Sequence, residues 1–461
     1  MNKFYNFHPS LLREYDIRGI VNDTLSANDA RAIGAIFGSI VRNNGGQGIV
    51  VGRDGRHSSI EMEKSLIDGL ISQGLTVSSI GLCPTPQLYF GVYHLEADGG
   101  IMITGSHNPP EYNGFKLMLG YSPFFGQDIQ DMAKTPYDPA EIWQGGQLIQ
   151  LNIREAYLDR VLEGLELGRE LSIVWDCGNG SAGPAVEKLC KSLPGKHEVL
   201  FSNVDGNFPN HHPDPTIKEN LETLISRVKK RNADFGIAFD GDGDRIGVID
   251  NSGDILWGDQ LLAILAEDIL ALKPGATIIG DVKASQSLFD RITELGGKTR
   301  MWKTGHSLIK NKMREVNAPL AGEMSGHIFF GDRYYGFDDA IYAALRLTEV
   351  LSQREQSLSA IRSALPNVVN TPELRLPCED TIKFSMVEKV KEILEKFDDI
   401  EICDVDGVRV TSKYGWWLIR ASNTQAIIVA RCEASSNRDL ETVKIQLKEV
   451  LQKIQIPYPE F

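Results

Sequence analysis

The sequence predicts an α/β fold that ends in a smaller α+β domain, and three observations support this prediction. Short apolar runs alternate with amphipathic helical patterns from about residue 28 to about residue 365. A ten-residue pattern recurs within that region, and the texture of the sequence changes after about Asn367. The chain has 461 residues, which is too long for one hydrophobic core and suggests about three domains, give or take one.

The α/β region shows the expected units in order along the chain. The run QGIVVG at residues 47–52 is typical of a buried strand, and a helical pattern follows it through residues 60–70. The run ELSIVWDC at residues 170–177 predicts another strand. It leads into a glycine turn at residues 178–180 and then into a helix through residues 186–189. Each unit is therefore a strand, a turn and a helix.

The C-terminal region combines two long helical patterns, at residues 382–397 and 437–454, with alternating strand-like sequence between them. Asp406-Gly407 in that middle part is a turn signal. We place domain boundaries near Leu151, Gly253 and Asn367. The predicted domains are three α/β domains at residues 1–151, 152–253 and 254–366, and an α+β domain at residues 367–461.

The recurring pattern aligns residues 97–106 (ADGGIMITGS) with residues 233–242 (ADFGIAFDGD). A weaker third copy, APLAGE, lies at residues 318–323. The repeat predicts a duplicated α/β unit that places a functional loop at the carboxyl end of an equivalent strand, where open α/β sheets bind ligands. A chance match of this length is the alternative.

The composition excludes several classes of protein. Hydrophobic residues make up 42% and charged residues 24% of the chain, as in globular domains. No apolar run approaches the roughly 18 residues of a transmembrane helix, and the N-terminus lacks the apolar core of a signal peptide. The six cysteines are widely separated, with no C-x-x-C pair. We therefore expect a cytoplasmic enzyme with reduced cysteines and no membrane partner.

The net charge of −14, without any basic run, argues against nucleic acid as a partner. It also restricts how an anionic substrate can be bound. Such a substrate needs a local cluster of arginine, lysine and backbone N–H groups that outweighs the overall field.

The first motif that carries chemistry is TGSHNPP at residues 104–110, after a predicted strand. Gly105 is expected to let the backbone turn sharply and expose Ser106. A serine hydroxyl in such a place suits a nucleophile or a phosphoryl carrier. A lone serine is more often a helix cap or turn residue, so the motif needs support from others.

Two residues near Ser106 are further candidates. His107 follows it directly, but we do not expect a contact between the two side chains, because sequence neighbours rarely meet in this way. Lys116, in NGFK at residues 113–116, is expected near the same strand end.

The second motif is DGDGDR at residues 240–245. Its three aspartates are spaced by glycines and can surround one hard cation with oxygen ligands, as Mg²⁺ requires. The EF-hand alternative fails, because Arg245 stands where that loop needs glycine and Asn251 where it needs glutamate. Three carboxylates in an ordinary turn would repel one another, and a bound cation is the usual remedy. Arg245 is placed to hold a phosphate oxygen or to neutralise another anion.

Two further loops are weaker signals. In GEMSGH, at residues 322–327, the alternating polar residues are Glu323, Ser325 and His327. In an extended loop all three side chains would point the same way and would suit sugar hydroxyls. RASNT, at residues 420–424, gathers a guanidinium, two hydroxyls and an amide after an apolar strand and predicts an anion-binding turn. The simpler alternatives are a surface loop and a polar turn.

A competing signal is G-x-G-x-x-G at residues 178–183, with Glu198 about twenty residues further on. This spacing permits a dinucleotide site. The pattern alone is weak, and the other four motifs indicate different chemistry.

Taken together, the motifs resemble those of the α-D-phosphohexomutases, and within that family the bacterial group that acts on both mannose and glucose phosphates. The resemblance spans nearly the whole chain, in order and spacing. Its motifs are EYDIRG (14–19), TGSHNPP (104–110), DGDGDR (240–245), KTGHSLIK (303–310), GEMSGH (322–327) and RASNT (420–424). It implies four domains around a central active-site cleft, the first three being related mixed-sheet α/β units.

The resemblance also implies residue roles. Ser106 would be phosphorylated in the resting enzyme, and one Mg²⁺ would be held by its phosphate together with Asp240, Asp242 and Asp244. The implied catalytic residues are Ser106, His107, Lys116, Arg245, Arg18 and His306. The implied substrate-binding residues are Tyr15, Lys283, Glu323, Ser325, His327, Arg420, Ser422, Asn423 and Thr424.

The implied activity is the reversible interconversion of hexose 1-phosphates and hexose 6-phosphates through a 1,6-bisphosphate, with glucose 1,6-bisphosphate as activator. GEMSGH favours glucose and mannose phosphates over glucosamine phosphate, and we expect a monomer. The general acid and base stay open among Lys116, His306 and His327. Two other functions stay open: a magnesium-dependent sugar phosphatase with Asp240 as nucleophile, and a non-catalytic phosphosugar-binding protein.

Overall fold

The computed structural model describes residues 4–394, 399–423 and 425–458. Over these residues the chain forms four β-sheets with helices packed against them, as the sequence predicts. None of the described helices is both long and apolar enough to cross a membrane.

The first domain carries the largest sheet. Its elements are β1 (Ile17–Ile20), α1 (Ala27–Asn43), β2 (Gly48–Arg53), α2 (Ser59–Ser72), β3 (Thr76–Leu82), α3 (Thr85–His94), β4 (Gly99–Ile103), β5 (Tyr112–Leu119), β6 (Ser122–Phe124), α4 (Gln127–Met132) and β7 (Gln147–Gln150). The strand order is β1-β5-β4-β2-β3-β7, with β6 beside β5. Helix α1 begins at a capping box, because Asp29 N donates to Ser26 Oγ and Ser26 N donates to the Asp29 carboxylate.

The second domain has a five-stranded sheet with the order β12-β11-β10-β8-β9. Its elements are α5 (Arg154–Leu162), β8 (Leu171–Asp176), α6 (Gly183–Ser192), β9 (Gly195–Leu200), a short 3-10 helix (Lys218–Leu221), α7 (Glu222–Arg231), β10 (Phe235–Phe239), β11 (Ile246–Asp250) and β12 (Ile255–Leu256). Because β12 pairs with β11, a boundary after Leu256 would keep this hairpin whole, whereas the predicted boundary at Gly253 divides it.

The third domain has a four-stranded sheet with the order β14-β13-β15-β16. Its elements are α8 (Gly258–Leu272), β13 (Thr277–Asp281), α9 (Gln286–Glu294), β14 (Lys298–Trp302), α10 (His306–Val316), β15 (Leu320–Gly322), β16 (Ile328–Phe330), α11 (Ala340–Ser352) and α12 (Leu358–Ser363).

The three sheets contain the same four-stranded unit, which is β3-β2-β4-β5 in the first, β9-β8-β10-β11 in the second and β14-β13-β15-β16 in the third. In each unit three parallel strands are followed by one antiparallel strand. The repeated sequence lies on β4, β10 and β15, which occupy the same place in the unit. The predicted repeat, including its weaker third copy, is therefore confirmed.

The fourth domain is an antiparallel sheet with two long helices, as the sequence predicts. Its elements are β17 (Val369–Asn370), β18 (Leu374–Pro377), α13 (Lys383–Leu394), β19 (Glu401–Cys403), β20 (Val408–Ser412), β21 (Gly415–Ala421), β22 (Ile427–Ala434) and α14 (Asn437–Lys453). The last part of the first predicted helical pattern, residues 395–398, lies outside the described residues. The hydrophobic core of the fourth domain is a separate cluster, whereas another cluster of buried residues includes side chains from all of the first three domains.

Candidate active site

The loops that follow β4, β10 and β15 converge, although these strands belong to three different sheets. Ser106 Oγ, after β4, donates a hydrogen bond to Asp240 Oδ2, after β10, at 2.9 Å. Arg245 Nε donates to His327 Nε2, in the loop after β15, at 2.9 Å. The TGSHNPP, DGDGDR and GEMSGH motifs of three different domains therefore form one buried site.

Ser106 itself makes the sharp turn of its loop. Its φ is +48°, in the left-handed region that is unfavourable for residues with a side chain. Gly105 is not among the residues with positive φ, so the prediction that it makes the turn was wrong. A Cβ atom on Gly105 would lie 2.2 Å from Nε of Arg56. The glycine is required because a buried guanidinium packs against it.

His107 lies against Ser106, contrary to the sequence-based expectation. Its Nδ1 is 3.2 Å from Ser106 Oγ, because the left-handed turn brings the two neighbouring side chains together. Burial, and next Arg245 and Arg18, lower the pKa of His107 well below its usual value. The imidazole is therefore neutral at neutral pH and available to the serine hydroxyl.

The three aspartates of DGDGDR are fully buried, and one carboxylate oxygen from each lies within 4.8 Å of the others. Asp240 Oδ1 accepts hydrogen bonds from the backbone N–H groups of Asp244, at 3.1 Å, and Arg245, at 3.2 Å. Thr85 Oγ1 donates to Asp242 Oδ2 at 2.5 Å. The glycine-spaced loop thus turns all three carboxylates toward one point.

Lys116 reaches this cluster from β5. Its Nζ donates to Asp242 Oδ2 at 2.7 Å and also to Asp244. Burial alone would lower the pKa of Lys116, but Asp242 and Asp244 raise it, so the ammonium stays charged. Burial also opposes ionisation of Asp242, yet Lys116 lowers the pKa of this carboxyl. Lys116 therefore neutralises part of the charge of the trio.

The residues present fit a magnesium ion. Oδ1 of Asp242 and Oδ1 of Asp244 are buried and have no hydrogen-bond partner, which is costly unless a cation or solvent meets them. Burial and the neighbouring carboxylates raise the pKa of Asp240 and of Asp244, so the cluster retains an unmet demand for positive charge. An all-oxygen donor set of this kind suits Mg²⁺.

A second polar group joins the site through Asp338, just before α11. His327 Nδ1 lies 3.0 Å from Asp338 Oδ2, and Lys310 Nζ donates to Asp338 Oδ1 at 2.9 Å. His306 Nδ1 is 3.7 Å from the same carboxylate. Burial, and next Lys310, lower the pKa of His306 well below its usual value. Since Arg245 donates to Nε2 of His327, the ring carries its proton on Nδ1, facing Asp338.

The GEMSGH loop is a turn and is not extended as expected. Gly326 has a φ of +91°, and Glu323 N donates to His327 O at 2.9 Å, which closes the loop. Ser325 Oγ donates to Glu323 Oε2 at 2.9 Å, and Gly305 N donates to Glu323 Oε1 at 2.6 Å. Glu323 and Ser325 therefore share one side, while the His327 ring faces the DGDGDR loop at residues 240–245, called the metal loop below. The prediction that all three side chains point the same way was wrong.

A hydrogen-bonded clasp joins the first, third and fourth domains. Tyr15 OH donates to the backbone carbonyl of Thr304 at 2.7 Å, and Asn423 Nδ2 donates to Tyr15 OH. Asp406 Oδ2 accepts from Thr304 N at 3.0 Å and from Arg420 Nε at 3.0 Å. The clasp brings Arg420 and Asn423 of RASNT to the same cleft as the other loops.

The other predicted cleft residues are placed as follows. Lys283 Nζ donates to Glu373 Oε2 at 3.2 Å. Lys283 lowers the pKa of Glu373 to about 2, although burial opposes this effect. Arg18 Nη1 donates at 3.3 Å to Asn108 Oδ1, which lies in the serine loop, residues 104–112.

Ser422 lies at the end of β21, in the RASNT turn. Its Oγ accepts a hydrogen bond from Gln425 N at 3.2 Å. Thr424, the last residue predicted for this turn, lies outside the described residues.

The glycine-rich turn before α6 has a packing role. A Cβ atom on Gly180 would lie 2.8 Å from the carbonyl oxygen of Gly241, and Ser181 N donates to that oxygen at 3.0 Å. Glu198 forms an ion pair with Arg231, with Oε2 2.7 Å from Nε. The turn therefore packs against the metal loop and supports it.

Comparisons with known proteins agree with this geometry. Family models for the phosphoglucomutase/phosphomannomutase alpha/beta/alpha domains I, II and III match residues 9–135, 155–253 and 257–369, and the C-terminal domain model matches residues 373–450. A phosphomannomutase/phosphoglucomutase of Pseudomonas aeruginosa is 44% identical over 454 residues, which cover 97% of this chain and 98% of that protein. The chain belongs to the phosphoglucomutase/phosphomannomutase family.

Other members of this family are also similar. A phosphoglucomutase of Neisseria gonorrhoeae is 41% identical, with 96% of each chain covered. A crystal structure of a phosphoglucomutase/phosphomannomutase family protein from Burkholderia thailandensis superposes with a TM-score of 0.92 at 42% identity, covering 98% of this chain and 100% of that one. The family resemblance, the four-domain α/β architecture and its related first three domains are thus confirmed.

Three residues of this family member escaped the sequence analysis. Thr85 contacts the metal loop from the start of α3, Asp338 joins the histidines, and Arg56 holds the serine loop. Only Asp338 had a local signal, since two aspartates precede the apolar helix α11 as helix caps do. That signal does not distinguish Asp338 from Asp339, which is the residue that caps the helix.

Proposed function

We propose that this protein interconverts the 1-phosphates and 6-phosphates of glucose and mannose, using Ser106 as the phosphoryl carrier. The observation that carries the proposal is the placement of Ser106 Oγ, 2.9 Å from Asp240 Oδ2 in a buried cluster. Lys116 and Arg245 of the same cluster supply the positive charge that a phosphoryl group requires. The names of the relatives in Pseudomonas and Neisseria support the same activity.

Asp240, Asp242 and Asp244 would hold one Mg²⁺, together with a phosphate oxygen on Ser106. When bound, the ion stabilises negative charge on the phosphoryl group. The protein's own part is to fix the three carboxylates, through the backbone of the metal loop and through Thr85.

In the first half-reaction, phosphoserine gives its phosphoryl group to the free C6 hydroxyl of a hexose 1-phosphate. The bond from phosphorus to Ser106 Oγ breaks, a bond to the sugar oxygen forms, and the hydroxyl proton passes to a base. The general acid and base stay open among Lys116, His306 and His327, and the charged ammonium of Lys116 can serve only as the acid. Neutral His306 is in the correct state to accept a proton, whereas Nε2 of His327 already accepts a hydrogen bond from Arg245 Nε.

The hexose 1,6-bisphosphate then turns around in the cleft, and Ser106 takes back the other phosphoryl group. Arg420, Ser422, Asn423 and Thr424 hold the phosphate that is not reacting, and Glu323 and Ser325 bind sugar hydroxyls. Tyr15, Arg18 and Lys283 line the cleft, and His107 keeps the serine hydroxyl in place. Because Tyr15 and Asn423 close the cleft through hydrogen bonds, the clasp has to open for this exchange.

One observation weighs against the phosphatase alternative. A nucleophilic Asp240 needs a free carboxylate oxygen, but its Oδ2 accepts from Ser106 and its Oδ1 accepts two backbone N–H groups. These hydrogen bonds reduce the nucleophilicity of the carboxylate and suit a fixed metal ligand. The mutase is therefore favoured over direct phosphate hydrolysis.

The test is a turnover assay with Mg²⁺ and a trace of glucose 1,6-bisphosphate, supplying glucose 1-phosphate and mannose 1-phosphate separately. Both 6-phosphates should form with little free phosphate, and omission of the bisphosphate should slow unphosphorylated enzyme. Free phosphate without isomer would support the phosphatase, and no turnover would support a binding protein.

We further propose that the active form is a monomer. Light scattering during gel filtration tests this proposal by measuring the molar mass.

A further inference from the structure

Arg56, in the loop between β2 and α2, uses every N–H of its guanidinium group. Nε donates to Asp54 Oδ2 at 3.2 Å. The two terminal nitrogens donate to four backbone carbonyls of the serine loop, at distances between 2.5 and 3.1 Å. These carbonyls belong to Ser106, Asn108, Pro109 and Tyr112. All five donors of the side chain are therefore satisfied.

A charged side chain is rarely placed so deeply without a specific need. Arg56 is 1% exposed, and burial lowers its pKa while Asp54 opposes that effect. A lysine has one nitrogen and could not reach four carbonyls spread along a loop, whereas the planar fork of arginine can. A Cβ atom on Gly105 would lie 2.2 Å from Arg56 Nε, so a side chain there would displace the guanidinium. The glycine of TGSHNPP and Arg56 therefore form one packed unit.

This unit controls the residue that carries the phosphoryl group. Ser106 has an unfavourable φ of +48°, and such a conformation persists only where its surroundings determine it several times over. Arg56 Nη2 holds the carbonyl of Ser106 at 2.7 Å, and Thr104 Oγ1 holds its N–H at 2.7 Å. A Cβ atom on Gly241 would lie 2.4 Å from the same carbonyl oxygen, so the metal loop packs on it as well.

The segment that carries Arg56 is itself held by the second domain. A Cβ atom on Gly55 would lie 2.1 Å from Val204, and one on Gly206 would lie 2.9 Å from Cα of Arg56. The ring of Phe208 lies 5.2 Å from the guanidinium carbon. Arg56 thus connects the serine loop to the domain that provides the metal loop, which fixes the separation between Ser106 and the aspartates.

We propose that Arg56 is the positioning residue of the serine loop. It holds Ser106 in the left-handed conformation that aims Oγ at the metal loop, and it does not touch the substrate. The inference rests on the proposed mutase activity. If it is correct, loss of the fork slows both phosphoryl-transfer steps without changing how the sugar phosphate binds.

The test compares Arg56→Lys with Arg53→Lys, a matched change on the same segment. Arg53 pairs with Glu63 at 2.9 Å. Among the described residues its side chain forms no hydrogen bond with the serine loop. In steady-state assays with glucose 1-phosphate, Arg56→Lys should lower kcat by about ten- to 100-fold with little change in KM. Arg53→Lys should match the wild type in both. The rate at which glucose 1-phosphate removes the phosphoryl group from phosphorylated Ser106 should fall with kcat.

A second variant covers the case in which Arg56→Lys does not fold. Gly105→Ala keeps the guanidinium but displaces it, and it should also lower kcat while leaving KM nearly unchanged. A kcat equal to that of Arg53→Lys in either folded variant, or a change in KM alone, would overturn the inference while leaving the mutase intact. Absence of turnover in the wild type would overturn the proposed function and this inference with it.

Discussion

Replacing Lys116 by methionine should make the stability of the protein depend strongly on Mg²⁺. The Lys116 ammonium is bound 2.7 Å from Asp242 and also contacts Asp244, in a cluster that is almost fully buried. Removing one partner of a buried ion pair costs about 3–5 kcal/mol. Because burial and repulsion raise the pKa of Asp240 and Asp244, these carboxyls can take up protons, and the loss should fall near the lower limit, about 3 kcal/mol.

The assay is thermal unfolding of wild type and variant with EDTA and with saturating Mg²⁺. For a domain of about 150 residues, such as the first domain, a loss of about 3 kcal/mol corresponds to about 6–12 °C in the melting temperature. Because Lys116 and Mg²⁺ neutralise the same carboxylates, the variant should bind the ion more tightly than the wild type, and at one Mg²⁺ concentration its shift should be the larger. A concentration of about 100 times the Kd stabilises a folded protein by about 2.7 kcal/mol.

Lys312→Met is the control, since Lys312 pairs with Glu315 on α10, away from the aspartates. Its magnesium-dependent shift should equal that of the wild type. An equal shift in all three proteins, or an unchanged melting temperature of Lys116→Met in EDTA, would refute the assignment of Lys116 as the internal counter-charge of the metal site.

Three further changes test other parts of the site. Tyr15→Phe removes the hydrogen bond to Thr304 and the one from Asn423 of the fourth domain. Since each bond is worth about 0.5–1.5 kcal/mol, kcat/KM should fall about tenfold. An unchanged kcat/KM would show that the clasp does not assist binding. Burial raises the pKa of Asp339 to about 6. The contribution of this carboxyl to the free energy of unfolding therefore falls by about 3 kcal/mol as pH rises from about 4 to 6. Urea titrations should find that slope reduced in Asp339→Asn, and parallel profiles for variant and wild type would contradict it. Gly241→Ala places a Cβ 2.4 Å from the carbonyl oxygen of Ser106 and should lower the free energy of unfolding by about 1–3 kcal/mol. It should also weaken magnesium binding, measured by calorimetry. Unaltered binding would argue against contact between the serine loop and the metal loop.

The features that the sequence predicted correctly depend on local patterns. The repeat on β4, β10 and β15 is visible because each copy carries the same strand and the same turn within ten residues. The aspartates of DGDGDR are predictable for the same reason, since their spacing alone determines that a tight loop gathers them. The two C-terminal helices show an uninterrupted helical periodicity.

The features that were missed depend on contacts between distant residues. Gly105 is a glycine because of Arg56, which is 49 positions earlier, and the hydrogen bond between Arg56 and Ser106 spans 50 positions. The left-handed turn at Ser106 has no signal of its own, because serine seldom adopts it. The closing of the GEMSGH loop depends on Gly326, whose positive φ is only one of the conformations open to glycine.

The most direct test of Ser106 as phosphoryl carrier is the transfer of label from phosphorylated enzyme to sugar. The protein would be loaded with radiolabelled phosphate from glucose 1,6-bisphosphate, freed of ligand and mixed with unlabelled glucose 1-phosphate and Mg²⁺. The phosphoserine mechanism predicts that label lies on Ser106, that it appears in hexose bisphosphate and then in glucose 6-phosphate, and that Ser106→Ala takes up none. Label on Asp240, or release of label only as free phosphate, would contradict it.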